Sequence, residues 1–228
     1  MYKEKFSCLL YADDLVLISE NENGLQCCLN KLTEYCKNWN LSINEEKSKV
    51  IIFNKSGRKI NRKFNIGNQT LETVNKYTYL GIEISSNGNF NGAIKQLCSK
   101  AKKALGRLKR ILYSVQTDVR LYLDLFDKLI APIFLYGCEI WGAYVIPPSP
   151  CISPDDITLY FKVEFERVYV NYLKYVLGVN TKACNIAVLS EVGKYPYSLE
   201  VLTRVCKNWY RMENVNPESL LHDVYRCN

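Results

Sequence analysis

The chain has 228 residues, 48% of them hydrophobic and 23% charged, a globular composition that excludes a disordered tail or a coiled-coil rod. Lys and Arg number 30 against 23 Asp and Glu, and the resulting charge of +7 favours a polyanionic partner without specifying a fold. No apolar stretch approaches the roughly 18 residues of a membrane span, and the residues from Met1 to Phe6 pass into a strand-like run with no secretory-leader pattern.

Ten cysteines include no Cys-x-x-Cys pair and the single histidine is His222, so no zinc site is expected. Reduced intracellular thiols, several of them small core fillers, fit this usage better than a disulfide framework.

In chain order, Phe6 to Tyr11 and Leu15 to Ile18 are short apolar runs flanking Ala12, Asp13 and Asp14, which predicts a β-hairpin with its acids at the bend. Apolar residues at Leu25, Cys28, Leu29, Leu32, Cys36 and Trp39 predict an amphipathic helix ending near Asn40. Val50 to Phe53 reads as a buried strand, followed by a basic loop with Lys55, Arg58, Lys59, Arg62 and Lys63. Phe64 to Ile66 and Leu71 to Val74 flank Gly67-Asn68-Gln69 as a second hairpin, and Tyr79 to Ile84 reads as a further strand.

From about Ser85 the pattern turns helical. Phe90, Ile94, Leu97, Ala101, Ala104, Leu105, Leu108 and Ile111 line one face of a long helix, and Leu121, Leu125, Leu129 and Ile133 line a second over Asp118 to Leu135, with Pro132 bending or ending it. Pro147, Pro148, Pro150 and Pro154 mark a loop over 146–155. Phe161 to Leu177 and Leu199 to Met212 are further helical stretches. Strands with one helix, then helices alone, predict an α+β fold: a small antiparallel sheet with a helix, followed by an α-helical part.

Asp13 and Asp14 stand where a tight bend would project carboxylates beyond a sheet edge, within reach of hard divalent cations. Paired acids of this kind serve two-metal nucleotidyl transfer; Asp-Asp is equally ordinary turn chemistry. Between Ala93 and Ile111 lie Lys95, Lys100, Lys102, Lys103, Arg107, Lys109 and Arg110 and no acid, so this helix presents a cationic face suited to a phosphate backbone or to a membrane surface. Trp39, Trp141 and Trp209 read as packing residues.

Phe6 to Ile18, with Tyr11-Ala12-Asp13-Asp14 at its centre, resembles the catalytic hairpin of reverse transcriptases, especially those of non-LTR (LINE-like) retrotransposons. The order that follows agrees: a helix, then Asn44-Glu45-Glu46-Lys47-Ser48-Lys49 before a strand, then Tyr79-Leu80-Gly81-Ile82, then the basic helix and Leu135-Tyr136-Gly137-Cys138-Glu139-Ile140-Trp141. The resemblance extends over essentially the whole chain. It implies part of a polymerase palm over 1–89, thumb-like helices over 90–135 and a C-terminal helical region over 136–228.

It further implies an RNA-directed DNA polymerase acting on an RNA template and a DNA primer with two Mg2+ ions. Asp13 would be the firmer metal ligand and Asp14 the second. Tyr11 would lie beside the primer end or incoming nucleotide. Lys47 would approach the leaving pyrophosphate, or be a solvated lysine, with Asn44 shaping its turn. Tyr79, Leu80 and Gly81 would form the primer grip, Gly81 allowing close backbone approach or forming a strand bulge. Lys102, Lys103 and Arg107 would ride on the nucleic-acid backbone.

The resemblance places a further catalytic aspartate and the template-holding fingers upstream of the hairpin, where only ten residues stand before Tyr11. The chain alone is therefore expected to be an inactive fragment with an exposed sheet edge; pairing with an upstream fragment is left open by the sequence. The alternatives are a non-catalytic nucleic-acid-binding protein or a non-functional retroelement remnant.

Overall fold

A computed structural model describes residues 8–113, 115, 118–145, 161–216 and 218–219. The predicted strand start at Phe6, the proline-rich loop 146–155, Cys151, His222 and Cys227 lie outside the described residues. The chain divides into two compact units, Met1–Gly88 and Asn89–Asn228.

The first unit opens with β1 (Cys8–Tyr11) and β2 (Asp14–Leu17), an antiparallel pair that forms a two-stranded sheet of its own. Helix α1 (Glu22–Asn38) starts at Asn21, whose side chain accepts the Gly24 N–H at 2.8 Å, an N-cap. It ends where Asn40 takes φ 53° and the Leu41 N–H reaches the Cys36 carbonyl at 2.9 Å, a Schellman closure with asparagine in glycine's usual place.

Strands β3 (Lys49–Val50), β4 (Phe64–Ile66) and β5 (Gln69–Thr73) form a sheet in the order β3-β5-β4. The β4–β5 pair is the expected hairpin, turning through Gly67 at φ 57°. The β3–β5 pair is parallel, so this sheet is mixed where an antiparallel one was expected. Leu29, Val50, Phe64, Ile66 and Leu71 make a small core, with Leu17, Leu25, Leu32, Ile43 and Ile52 packed against it. The predicted buried strand to Phe53 stops at Val50, and Phe53 is exposed. The free edge of β4 is not left bare: the Gln26 side chain accepts from the Asn65 N–H (2.9 Å) and donates to the Asn65 carbonyl (2.8 Å).

The predicted strand over Tyr79–Ile84 is instead a hairpin, β6 (Lys76–Tyr79) and β7 (Ile82–Ser85). Leu80 (φ 46°) and Gly81 (φ 81°) both occupy the left-handed region, the signature of a type I′ turn. The root of this hairpin is fixed by Ser86, whose N–H donates to the Asn75 carbonyl and whose carbonyl accepts from Asn54.

The second unit comprises α2 (Asn91–Leu112), α3 (Val119–Leu125), α4 (Ala131–Phe134), α5 (Cys138–Trp141), α6 (Glu164–Val176), α7 (Asn185–Glu191) and α8 (Tyr197–Glu213). One core runs through it, from Ile94, Leu97, Cys98, Ala101, Leu105 and Leu108 of α2 to Trp141, Phe165, Tyr172 and Val201. Ile111, predicted to face this core, is 67% exposed, and Leu112 is buried in its place. Burial pushes the thiols of Cys98 and Cys138 up to about 12, so both are inert fillers. All eight described cysteines are free.

Between α3 and α4 a π-helical turn, Phe126–Ile130, inserts an extra residue: the Ala131 N–H reaches back to the Phe126 carbonyl just before Pro132, which has no N–H to offer. Leu123, Phe126, Ile130 and Phe134 are buried; of the predicted stripe, Leu125 and Ile133 pack against the core while Leu121 and Leu129 are exposed. Trp141 packs in the core as predicted, its indole N–H donating to the Tyr136 carbonyl, whereas Trp39 and Trp209 are exposed. Gly142, just after α5, faces Val201 and Val205 of α8 so closely that a Cβ would stand 2.7 Å from each methyl.

Glu166 of α6 is fully buried and accepts from the Tyr197 N–H (3.0 Å), the Ser198 N–H (2.9 Å) and the Ser198 hydroxyl (2.7 Å) at the start of α8. Burial pushes its carboxyl above the ordinary range, and these donors pull the other way. Glu166→Ala should cost about 3 kcal/mol in chemical denaturation, because buried donors lose their acceptor. Since the folded-state pKa is raised, the stability of the wild type relative to Glu166→Gln should be greatest in acid and decline as pH rises through that pKa.

Candidate active site

The acidic residues sit at the tip of the first hairpin. The β1–β2 register pairs Tyr11 with Asp14 and leaves Ala12 and Asp13 as the turn. Ala12 takes φ 52° while Asp13 does not enter the left-handed region, the pattern of a type II′ turn, which prefers glycine at that first position. Tyr11, Asp13 and Asp14 are all exposed, and so are Leu9, Leu10, Leu15 and Ile18 around them. Among the described residues no hydrogen bond or ion pair engages either carboxylate.

Lys47 lies in a closed turn. Asn44 accepts the Lys47 N–H on its side chain (3.1 Å) and the Ser48 N–H (3.0 Å) and hydroxyl (2.8 Å) on its carbonyl, the Asx-turn role expected of it. The Tyr77 hydroxyl of β6 donates to the Lys47 carbonyl at 3.0 Å. That bond ties the lysine turn to the hairpin carrying Tyr79, Leu80 and Gly81. Tyr77 is a positioning residue that motif reading missed, because only the tertiary fold brings it there.

Tyr79 pairs with Ile82 to close the type I′ turn, so Gly81 is a turn residue and not a strand bulge. The signal was present: two strand-like runs, Lys76–Tyr79 and Ile82–Ser85, separated by two residues of which one is glycine. Leucine at the other turn position concealed it.

Helix α2 carries the remaining candidates, in the second unit. Lys102 is held by Glu164 of α6 at 2.7 Å. Lys103 and Arg107 are exposed and hold no ion pair among the described residues. Lys109 is half-buried over the Tyr175 ring, 4.0 Å from its centroid, and burial lowers its pKa. In the basic loop of the first unit, Arg62 pairs with Glu22 at 2.9 Å.

Mg2+ takes hard oxygen ligands, and Asp13 with Asp14 suits it in kind. The number is insufficient. Among the described residues no group of three His, Cys, Asp or Glu side chains could hold a metal ion. The described donor set therefore does not make a two-ion site by itself.

Residues 1–84, which carry the acidic hairpin, the Lys47 turn and the Tyr79 hairpin up to Ile84, match the family described as reverse transcriptase (RNA-dependent DNA polymerase). This segment is reverse-transcriptase-like. An uncharacterized transposon-derived protein of Caenorhabditis elegans is 32% identical over 135 residues, 58% of this chain and 48% of its own length. The RNA-directed DNA polymerase from mobile element jockey of Drosophila melanogaster is 23% identical over 140 residues, 58% of this chain and 15% of its own. A protein of the same fly named probable RNA-directed DNA polymerase from transposon BS is 28% identical over 140 residues, 58% of this chain and 16% of its own. The chain thus spans about half of the nematode relative and a small part of the fly polymerases. No solved structure matches.

Within the reverse-transcriptase-like segment, Leu80 holds a backbone conformation that costs a non-glycine residue roughly 1–2 kcal/mol. Leu80→Asn, which makes the preferred Asn-Gly turn, should raise the thermal stability of the first unit by about 1 kcal/mol. A loss in differential scanning calorimetry would mean that the leucine side chain contributes more than its strain costs.

Proposed function

We propose that residues 1–89 are part of the palm of an RNA-directed DNA polymerase of the non-LTR type, with 90–135 thumb-like and 136–228 a C-terminal helical region. The observation that carries this reading is the pair of adjacent, unengaged carboxylates at an exposed hairpin tip inside the matched segment. In this reading Asp13 and Asp14 supply one arm of a two-Mg2+ site, and the ions when bound align the primer hydroxyl and stabilise the leaving pyrophosphate. Tyr11 flanks the primer end. Lys47, its turn closed by Asn44 and Tyr77, offers a cation to the leaving group. Tyr79, Leu80 and Gly81 meet the primer strand.

The same reading makes the chain inactive alone, because two carboxylates do not fix the spacing of two ions. Expected in a primer-extension assay on an RNA template with Mg2+ is no product. Extension that Asp13→Ala abolishes would overturn the inactivity.

Binding does not require the complete metal site. Lys103 and Arg107 on α2 are free to meet phosphates, whereas Lys102 is already neutralised by Glu164. Lys103→Gln with Arg107→Gln should lower the salt slope of primer–template binding by about 2, and Lys102→Gln should change it least. Salt-independent or absent binding of the unmodified chain would sink both this reading and the non-catalytic nucleic-acid-binding alternative that rests on the same face.

A further inference from the structure

A cleft of about 630 Å³ lies within the second unit, between residues 127–139 on one side and the run from Lys194 into α8 on the other. Its volume is that of a small-ligand site. Tyr169 of α6 also lines it. That residue is 1% exposed, and its hydroxyl makes no hydrogen bond among the described residues. Its neighbours show the contrast: Tyr172 donates to the Tyr122 carbonyl and Tyr197 to Asp127, both at 2.8 Å. A buried phenol normally has a partner, so an unengaged one on a cavity wall calls for a group from outside the chain.

The charges around the cleft select the kind of group. Asp127 is matched by Lys194 at 2.9 Å, whereas Glu139 and Glu200 share one cation, Arg204, at 3.7 and 2.9 Å. Three acids thus line the cleft with two cations, both already paired, in a chain whose overall charge is +7. A phosphate or carboxylate would meet surplus negative charge and no open cation. A cation would be attracted, and Tyr195, a lining residue 79% exposed, offers it an aromatic ring. Part of this is structural. Asp127 holds Tyr197 in place, and the Glu200–Arg204 pair is an ordinary one-turn helix pair. A bound water would satisfy the Tyr169 hydroxyl but would not answer the charge surplus.

We propose that this cleft binds a guanidinium group, the side chain of an arginine in a partner peptide. Tyr169 accepts one of its N–H groups, Tyr195 stacks on its plane, and Glu139 and Glu200 supply the counter-charge. A guanidinium donates at its edge while its face lies on a ring, a combination that a compact ammonium does not offer. This site is separate from the acidic hairpin and from the basic face of α2, and its use does not depend on polymerase chemistry.

The test titrates the full chain with N-acetyl-arginine amide, followed by saturation-transfer NMR. The neutral citrulline analogue, which keeps the shape, should bind at least about tenfold more weakly, because its hydrogen bonds are no longer charge-assisted. Glu139→Gln with Glu200→Gln should weaken arginine binding by about tenfold. Tyr169→Phe should weaken it about fivefold with the thermal transition kept, since only an unengaged hydroxyl is removed. Tyr195→Ala should weaken it about threefold, and Tyr195→Phe, which keeps the ring, should bind as the unmodified chain does. Absent arginine binding, equal binding of the citrulline analogue, or competition by inorganic phosphate would overturn the proposal. Unchanged affinity in Tyr169→Phe would overturn it too, leaving that hydroxyl to water.

Discussion

Glu166 is a carboxylate with no access to water, and the placement of α8 depends on it. Helix α8 begins after Pro196, whose side chain cannot cap the exposed N–H groups of a first turn. Glu166 supplies the missing acceptor from another helix, taking the N–H groups of Tyr197 and Ser198 together. Tyr197 is then fixed at its far end as well, where its hydroxyl donates to Asp127 at 2.8 Å and Lys194 pairs with the same carboxylate at 2.9 Å. Held at both ends, the Tyr197 ring stands edge-on to Phe126, Phe134 and Tyr169, and the aromatic centre of the second unit closes around it. Gly142 completes the fit, since any side chain there would strike Val201 and Val205.

The first unit is built differently. Its core holds five buried apolar residues, and among the described residues of the acidic hairpin only Leu17 packs against it. The rest of that hairpin is a two-stranded ribbon, a form marginally stable in water without a further layer or strand. The acidic hairpin residues of the proposed chemistry therefore lie in a sparsely packed part of the first unit. Local order there comes from short-range devices: the II′ turn at Ala12-Asp13, the Asn44 turn around Lys47 and the I′ turn at Leu80-Gly81. Two of these three place a non-glycine residue at positive φ, a cost that the surrounding backbone pairing must hold in place.

What the sequence made legible was local. Apolar spacing of three and four marked α1, α2, α6 and α8, and Gly67-Asn68 marked the β4–β5 hairpin, because each signal is contained within a few residues. The acidic turn and the Asn44 cap were readable for the same reason. The β6–β7 hairpin was hidden because leucine is an unusual left-handed residue. The inward stripe of Asp118 to Leu135 was only half placed: Leu125 and Ile133 pack against the core, but the buried centre falls on Leu123, Phe126, Ile130 and Phe134, a spacing of three and four that this apolar segment also offers. The seven residues of α7 are too few to establish a period. Contacts far apart in sequence were not readable at all. Tyr77 on the Lys47 carbonyl, Gln26 on the β4 edge and Glu164 on Lys102 each join segments that only the folded backbone brings together.

The geometry of a hairpin tip also limits what two adjacent acids can do. Asp14 begins β2 and Asp13 belongs to the turn, so strand pairing holds only the first of them directly. Two adjacent acids cannot by themselves set the separation of two ions. A further carboxylate on an adjacent strand, facing the same side, would supply that separation with the rigidity of backbone pairing. The exposed edges of β1 and β2, and the apolar side chains of Leu9, Leu10 and Leu15 beside them, are what such a strand would cover. In the proposed reading, one neighbouring strand would both pair with this backbone and supply the further carboxylate that a two-ion site needs.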